Sequence, residues 1–179
     1  MMPVQKYSLP ARVLHWLVAV LVIVQVVLGW AAEWERDREA SFRLIQTHYQ
    51  AGLLIFGLMI LRLSWRIANA PPPPLIDEPP VRKHSATFTH WALYALLLTM
   101  PLSGYVIWVW MDVPMTAFGF LEVPKLFVPP AEDETWRANA WYIHFYSSWA
   151  LIGLAALHIG AALWHEFAVR DGLIRSRMI

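Results

Sequence analysis

Four stretches of the chain, residues 13–32, 44–61, 88–111 and 138–164, are apolar almost without interruption. Each is near or above the roughly 20 residues with which an α-helix crosses about 30 Å of hydrocarbon. The pattern predicts an all-α integral membrane protein, a bundle of four transmembrane helices forming one domain over residues 1–179. The first stretch is longer than the roughly 7–15 apolar residues of a secretory signal, and Trp30 is a poor residue ahead of a cleavage site at Ala32, so it is expected to stay as a span. Pro101 falls inside the third stretch and is expected to bend that helix by leaving a carbonyl one turn earlier without a donor.

The connections differ in character. Pro71, Pro72, Pro73 and Pro74, followed by Pro79 and Pro80, predict an extended polyproline II strap between the second and third helices. The segment from Asp112 to Arg137 contains Phe118-Gly119, several prolines and the acidic run Glu132-Asp133-Glu134. It is expected to lie on the membrane surface with a short amphipathic piece.

Composition agrees with the spans: 58% hydrophobic residues, eleven Trp and 15% charged residues are too apolar for a soluble domain of 179 residues. The net charge of +1 matters less than its distribution, and nothing in it points to nucleic acid. With the N-terminus inside, the inner segments carry nine basic residues against four acidic ones (Asp77, Glu78, Glu166 and Asp171), and the outer segments five against nine. The inner side is thus +5 and the outer side −4, and the positive-inside rule places both termini in the cytoplasm. Trp30, Trp34, Trp108, Trp110, Trp136 and Trp141 are expected in one interfacial belt, and Trp16, Trp65, Trp91 and Trp164 in the other.

Against this apolar background stand His15, His48, His144 and His158. The last two share a stretch and are fourteen residues apart. Fourteen residues turn an α-helix through roughly 1400°, about 40° short of four turns, and raise it roughly 21 Å. Both imidazoles therefore face one way at opposite depths. With alternating helix directions, His15 and His158 lie in the inner half, and His48 and His144 in the outer half. A buried imidazole in lipid needs a partner. Where no thiol is present, the functional partner that neutral nitrogen ligands most often find is a haem iron or another metal. Two cross-helix pairs, His15 with His158 and His48 with His144, could each grip one iron from both sides, with two haems stacked on the order of 20 Å apart. The absence of cysteine excludes thioether-linked haem, cysteine-bound iron–sulfur clusters and disulfides, so such haems are b-type.

Other residues fit the same picture. Gly29, fourteen residues after His15, puts a position without a side chain at the outer depth, and Gly52 does the same one turn after His48. Arg62, fourteen residues after His48, is set to hold a propionate of the inner haem. The alternative for the glycines is close helix packing, and for any single histidine a hydrogen bond to a backbone carbonyl. Arg12, Arg82 and Lys83 are candidates for propionates or lipid phosphates. His90 is placed to flank a quinone or a propionate, or to pack at the interface. His84 reads as a surface residue, and His165 as a reserve ligand.

Arg12-Val13-Leu14-His15-Trp16, His48 with Gly52, Arg62-Leu63-Ser64-Trp65-Arg66, Pro101-Leu102-Ser103-Gly104 and Leu157-His158-Ile159-Gly160 resemble, in order and spacing, the bacterial cytochrome b561 family of the inner membrane. The likeness extends to the terminal segment containing His165-Glu166-Phe167 and Arg170-Asp171-Gly172. It implies a four-helix protein with two haem b groups, axial ligands His15, His48, His144 and His158, and electron exchange with ubiquinone. Members of that family act as superoxide oxidases, which oxidise superoxide to dioxygen on the outer side and reduce quinone.

An anionic substrate sits badly with an outer face of −4. Arg137, seven residues before His144, together with Lys125 or Arg43, could form a local positive mouth; the alternative is that they are interface anchors. A rival function is a cytochrome b anchor subunit that conducts electrons for a dehydrogenase or hydrogenase. A metal or proton transporter would call for acidic partners at depth, and the spans contain none.

Overall fold

The computed structural model describes residues 6–73, 79–114, 116–130, 132 and 134–179. Its frame is four long helices: α1 (Leu9–Trp34), α2 (Arg38–Ala68), α3 (Pro80–Met111) and α4 (Thr135–Trp164). The shortest has 26 residues, about 39 Å at 1.5 Å per residue, which exceeds the hydrocarbon thickness. All four are long and apolar enough to cross a membrane, with mean hydropathy of 1.4 to 2.3 over their most apolar windows. Their outward surfaces agree: Val20, Ile23 and Val27 are 57%, 62% and 58% exposed along α1, a ridge suited to acyl chains and not to water.

Each helix reaches beyond its apolar stretch for a local reason. Helix α1 begins with Pro10 in its first turn, where a missing N–H costs nothing. Helix α2 begins six residues ahead of its apolar stretch because Asp37 caps it, Oδ1 accepting from the Ala40 N–H at 2.8 Å, while Glu39 complements the positive end of the helix. The three residues between α1 and α2 force the two helices into an antiparallel hairpin. Helix α3 starts at Pro80, which corrects the expected strap: Pro79 is extended (φ −53°, ψ 144°) and Pro80 is already helical. Residues 71–73 have no regular structure, whereas Pro74, Asp77 and Glu78 lie outside the described residues. Helix α3 continues through Pro101.

Helix α1 packs along α2 and α3 along α4, with a shorter seam between α2 and α3. Val18, Ile55, Met59 and Tyr94 form the core where α1, α2 and α3 meet. A second cluster, Trp108 and Val109 with Tyr49, Tyr105, Val123 and Phe127, closes the end of the bundle away from the termini. Trp108 is fully buried there, which corrects its expected place in an interfacial belt: the chain after α3 folds back over it. Between α3 and α4 the described residues form a small antiparallel hairpin, β1 (Thr116–Ala117) with β2 (Leu121–Glu122), and no amphipathic piece. Phe118 and Gly119 both take positive φ, 55° and 79°, and reverse the chain. Tyr105 ties this loop down, its hydroxyl donating to the Pro124 carbonyl and accepting from the Leu126 N–H, both at 2.8 Å. Asp133 of the acidic run lies outside the described residues.

After α4 the chain makes a π-helical turn over His165–Val169 and a short helix α5 (Leu173–Arg177) that folds back on the end carrying both termini. Glu166 accepts from the Ile174 N–H at 3.0 Å and from Arg175 Nε at 2.8 Å. Trp16 Nε1 donates to the Met178 carbonyl at 3.0 Å, Arg12 donates to the Ile179 carbonyl, and Arg177, buried, donates to the carbonyls of Pro72 and Pro73.

Candidate functional site

The histidines meet across the interior in twos. The ring centres of His15 on α1 and His158 on α4 are 6.3 Å apart, with planes at 80°. Those of His48 on α2 and His144 on α4 are 6.1 Å apart, with planes at 65°. Two metal–imidazole bonds of about 2.0–2.1 Å, in line, join rings whose centres lie about 1.1 Å from their own atoms, so an iron clamped between them separates the centres by about 6.3 Å. Both pairs match that separation. His90 approaches His158 at 5.5 Å, too close for the same arrangement. Among the described residues no group of three His, Cys, Asp or Glu is placed to hold a bare metal ion, and the two imidazoles of each pair would suit a haem iron, which takes its other ligands from the porphyrin.

The pair farther from the termini sits in a hydrogen-bonded setting. His48 Nδ1 lies 3.2 Å from the Gln25 carbonyl, and His144 Nδ1 lies 3.1 Å from both the Met100 carbonyl and Ser103 Oγ. A carbonyl only accepts, so both rings carry their proton on Nδ1 and leave Nε2 free to bind a metal. The Gln25 side chain adds a second tie, Nε2 donating to the His48 carbonyl at 2.7 Å. Two glycines leave room for the rings: a Cβ at Gly29 would stand 3.2 Å from His48 Cε1, and one at Gly104 would stand 3.4 Å from His144 Cε1.

The pair nearer the termini is edged by cations. Arg62 Nη2 lies 3.2 Å from His15 Nδ1, and Nη1 donates to the Ala11 carbonyl at 3.0 Å. The Arg62 and Arg66 guanidinium groups stand 5.9 and 5.8 Å from the Tyr94 ring, and Arg66 also lies 5.8 Å from Trp91.

The remaining sequence candidates fall as follows. Gly52 faces the Gln25 amide, 3.1 Å from where its Cβ would be, and not the ring of His48. Arg12 is engaged by the C-terminus. His165 Nδ1 lies 2.6 Å from Asp171 Oδ2, and His84 Nδ1 donates to the Pro80 carbonyl at 2.7 Å. The three cations of the expected positive mouth each hold a carboxylate: Arg137 that of Glu134, Lys125 that of Asp112, and Arg43 that of Glu39. The Lys125 ammonium keeps the Asp112 carboxyl below its usual range. Gln25, Met100, Ser103 and Gly104 are the contacts that sequence reading did not assign. The spacing of Gly104, one turn after Met100, was available, but a carbonyl acceptor such as that of Met100 leaves no mark in a sequence.

A family profile described as prokaryotic cytochrome b561 matches residues 6–179. The chain belongs to the prokaryotic cytochrome b561 family. It is similar to cytochrome b561 homolog 2 of Escherichia coli K12, with 27% identity over 96% of this chain and 90% of the relative. Cytochrome b561 homolog 1 of the same organism is 27% identical, covering 97% of each chain. A protein of Yersinia pestis named probable superoxide oxidase CybB is 29% identical over 97% of this chain and 96% of its own. Membership of this electron-transfer cytochrome family implies haem-binding potential.

Proposed function

We propose that the chain binds two haem b groups, one between His15 and His158 and one between His48 and His144, and carries electrons through the bilayer to or from ubiquinone. The observation that supports this most strongly is the pair of ring separations, 6.3 and 6.1 Å, each matching imidazoles that share one iron. Bound there, the haems supply one-electron redox chemistry. The chain's own residues do the rest. The Gln25 and Met100 carbonyls and Ser103 hold His48 and His144 at fixed orientation. Gly29, with Gly104, keeps side chains off the ring edges, and Gly52 makes space for the Gln25 amide. Arg62, and Arg12 when released from the C-terminus, are the cations available to haem carboxylates at the terminal end. His90, beside His158, is the candidate contact for a quinone head group.

In the proposed topology both termini face the cytoplasm of a bacterial inner membrane, because the terminal end carries the basic excess. The proposed reaction is superoxide:ubiquinone oxidoreduction. Two superoxide ions each give up one electron and leave as dioxygen on the outer side, and one ubiquinone takes two electrons and two protons to become ubiquinol. The name of the Yersinia pestis relative supports the donor. Lys125 and Arg137 are the proposed guides for superoxide. Their pairing with Asp112 and Glu134 favours a second reading, in which the chain is an electron-conducting subunit fed by a protein donor. Haem-loaded protein purified without any partner and supplied with ubiquinone separates the two. The superoxide reading predicts one ubiquinol formed per two superoxide consumed, and haem-loaded protein that forms none would leave the conduit reading standing.

A further inference from the structure

We infer that the two histidine pairs differ in electron affinity, with Arg62 making the His15–His158 site the stronger acceptor. This rests on the haem reading above. Around His48 and His144, both Nδ1 protons go to uncharged acceptors, the Gln25 and Met100 carbonyls at 3.2 and 3.1 Å. Donation to a carbonyl makes an imidazole a more basic ligand, which favours the oxidised iron and lowers its affinity for an electron. No described guanidinium or ammonium group contacts either ring.

Around His15 the polar neighbour is a cation. The Arg62 guanidinium, which can only donate, lies 3.2 Å from His15 Nδ1 and is held in place by the Ala11 carbonyl. Arg66 adds a second charge beyond Tyr94. Among the described residues neither guanidinium is neutralised by a carboxylate. A fixed positive charge disfavours the more positive oxidation state. At an effective dielectric of about 20, a unit charge within about 8 Å changes the reduction constant on the order of tenfold or more. A His15 ring that binds iron through Nε2 carries its proton on Nδ1 and can no longer accept from Arg62, so in the haem-loaded protein the guanidinium turns from the ring toward a haem carboxylate; its charge remains beside that site and the sign is unchanged. Arg62 is thus a tuning residue acting through its charge beside His15, and the gradient it sets favours electrons moving from the far pair toward the terminal pair.

The test is a potentiometric titration of the full-length, haem-loaded protein, read by optical spectra. Protein with His48→Ala and His144→Ala keeps only the terminal-end haem, and protein with His15→Ala and His158→Ala only the other. The former is expected to titrate at the higher potential. In the dihaem protein Arg62→Gln lowers the higher wave by tenfold or more in reduction constant, 59 mV for a one-electron couple, and leaves the lower wave in place. Arg62→Lys, which keeps the charge, restores most of the shift. Equal potentials, a reversed order, or a higher wave that Arg62→Gln does not move would overturn the inference. Failure of both paired variants to retain one haem would instead count against the haem reading itself.

Discussion

Gly29 on α1 lies directly against the His48 ring on α2, so close that a Cβ at Gly29 would stand 3.2 Å from His48 Cε1. That contact is tighter than ordinary van der Waals distance, and the ring cannot retreat freely while its Nδ1 is held by the Gln25 carbonyl. Gly29→Val therefore tilts His48 out of line with His144. The expected result is selective loss of the haem at that pair, with the His15–His158 haem kept, and a stability loss of about 1–3 kcal/mol from overpacking. Haem content and thermal unfolding of the variant measure both.

Gln25 predicts a smaller effect. Its amide Nε2 donates to the His48 carbonyl at 2.7 Å, but its Oε1 is buried without a partner among the described residues. Gln25→Leu loses one hydrogen bond worth about 0.5–1.5 kcal/mol and at the same time removes an unsatisfied acceptor. The net change in stability is expected to stay within about 1 kcal/mol, while the looser His48 shifts the spectrum of its haem. A collapse of the fold would show that the amide does more than pin α2.

The C-terminal residues act as a clasp on α1. Trp16 donates to the Met178 carbonyl and Arg12 to that of Ile179, and buried Arg177 ties α5 to Pro72 and Pro73. Removing residues 178–179 breaks the α1 ties and is expected to cost about 1–2 kcal/mol in detergent, for two hydrogen bonds at least partly replaced by water. Faster proteolysis of the α5 segment in the truncated protein would report the same opening.

The outer surface yields a prediction about salt. In the proposed topology superoxide approaches a face with nine acidic and five basic residues, and Arg43, Lys125 and Arg137 are each occupied by a carboxylate. Net repulsion is screened by salt, so the superoxide-dependent rate should rise between low and physiological ionic strength. A rate that falls with salt would mean that a local positive mouth outweighs the surrounding acids.

Much of the frame was legible because it follows from length and periodicity alone. Four apolar stretches become four long helices, and the spacing between His144 and His158 leads to rings meeting at two levels. What the chain hid is what depends on backbone and on folding back. The Gln25 and Met100 carbonyls that orient the rings belong to every residue type. Trp108 looks like an interfacial residue until the loop after α3 is seen to cover it. The cations assigned to an open mouth lie close in sequence to the acids that occupy them, Arg137 to Glu134 and Arg43 to Glu39, and that spacing could have been used. The clasp formed by Arg12, Trp16 and Arg177 joins segments more than a hundred residues apart, and neither charge pattern nor hydropathy marks it.

The most direct measurement is the number of haems per chain and how it falls with each ligand. Protein purified from haem-replete cells should contain two b-type haems by reduced-minus-oxidised and pyridine haemochrome spectra. One should be lost in His15→Ala or His158→Ala, the other in His48→Ala or His144→Ala, and both when His15→Ala and His48→Ala are combined. Colourless wild-type protein, or a combined variant that still holds one haem, would contradict the pairing.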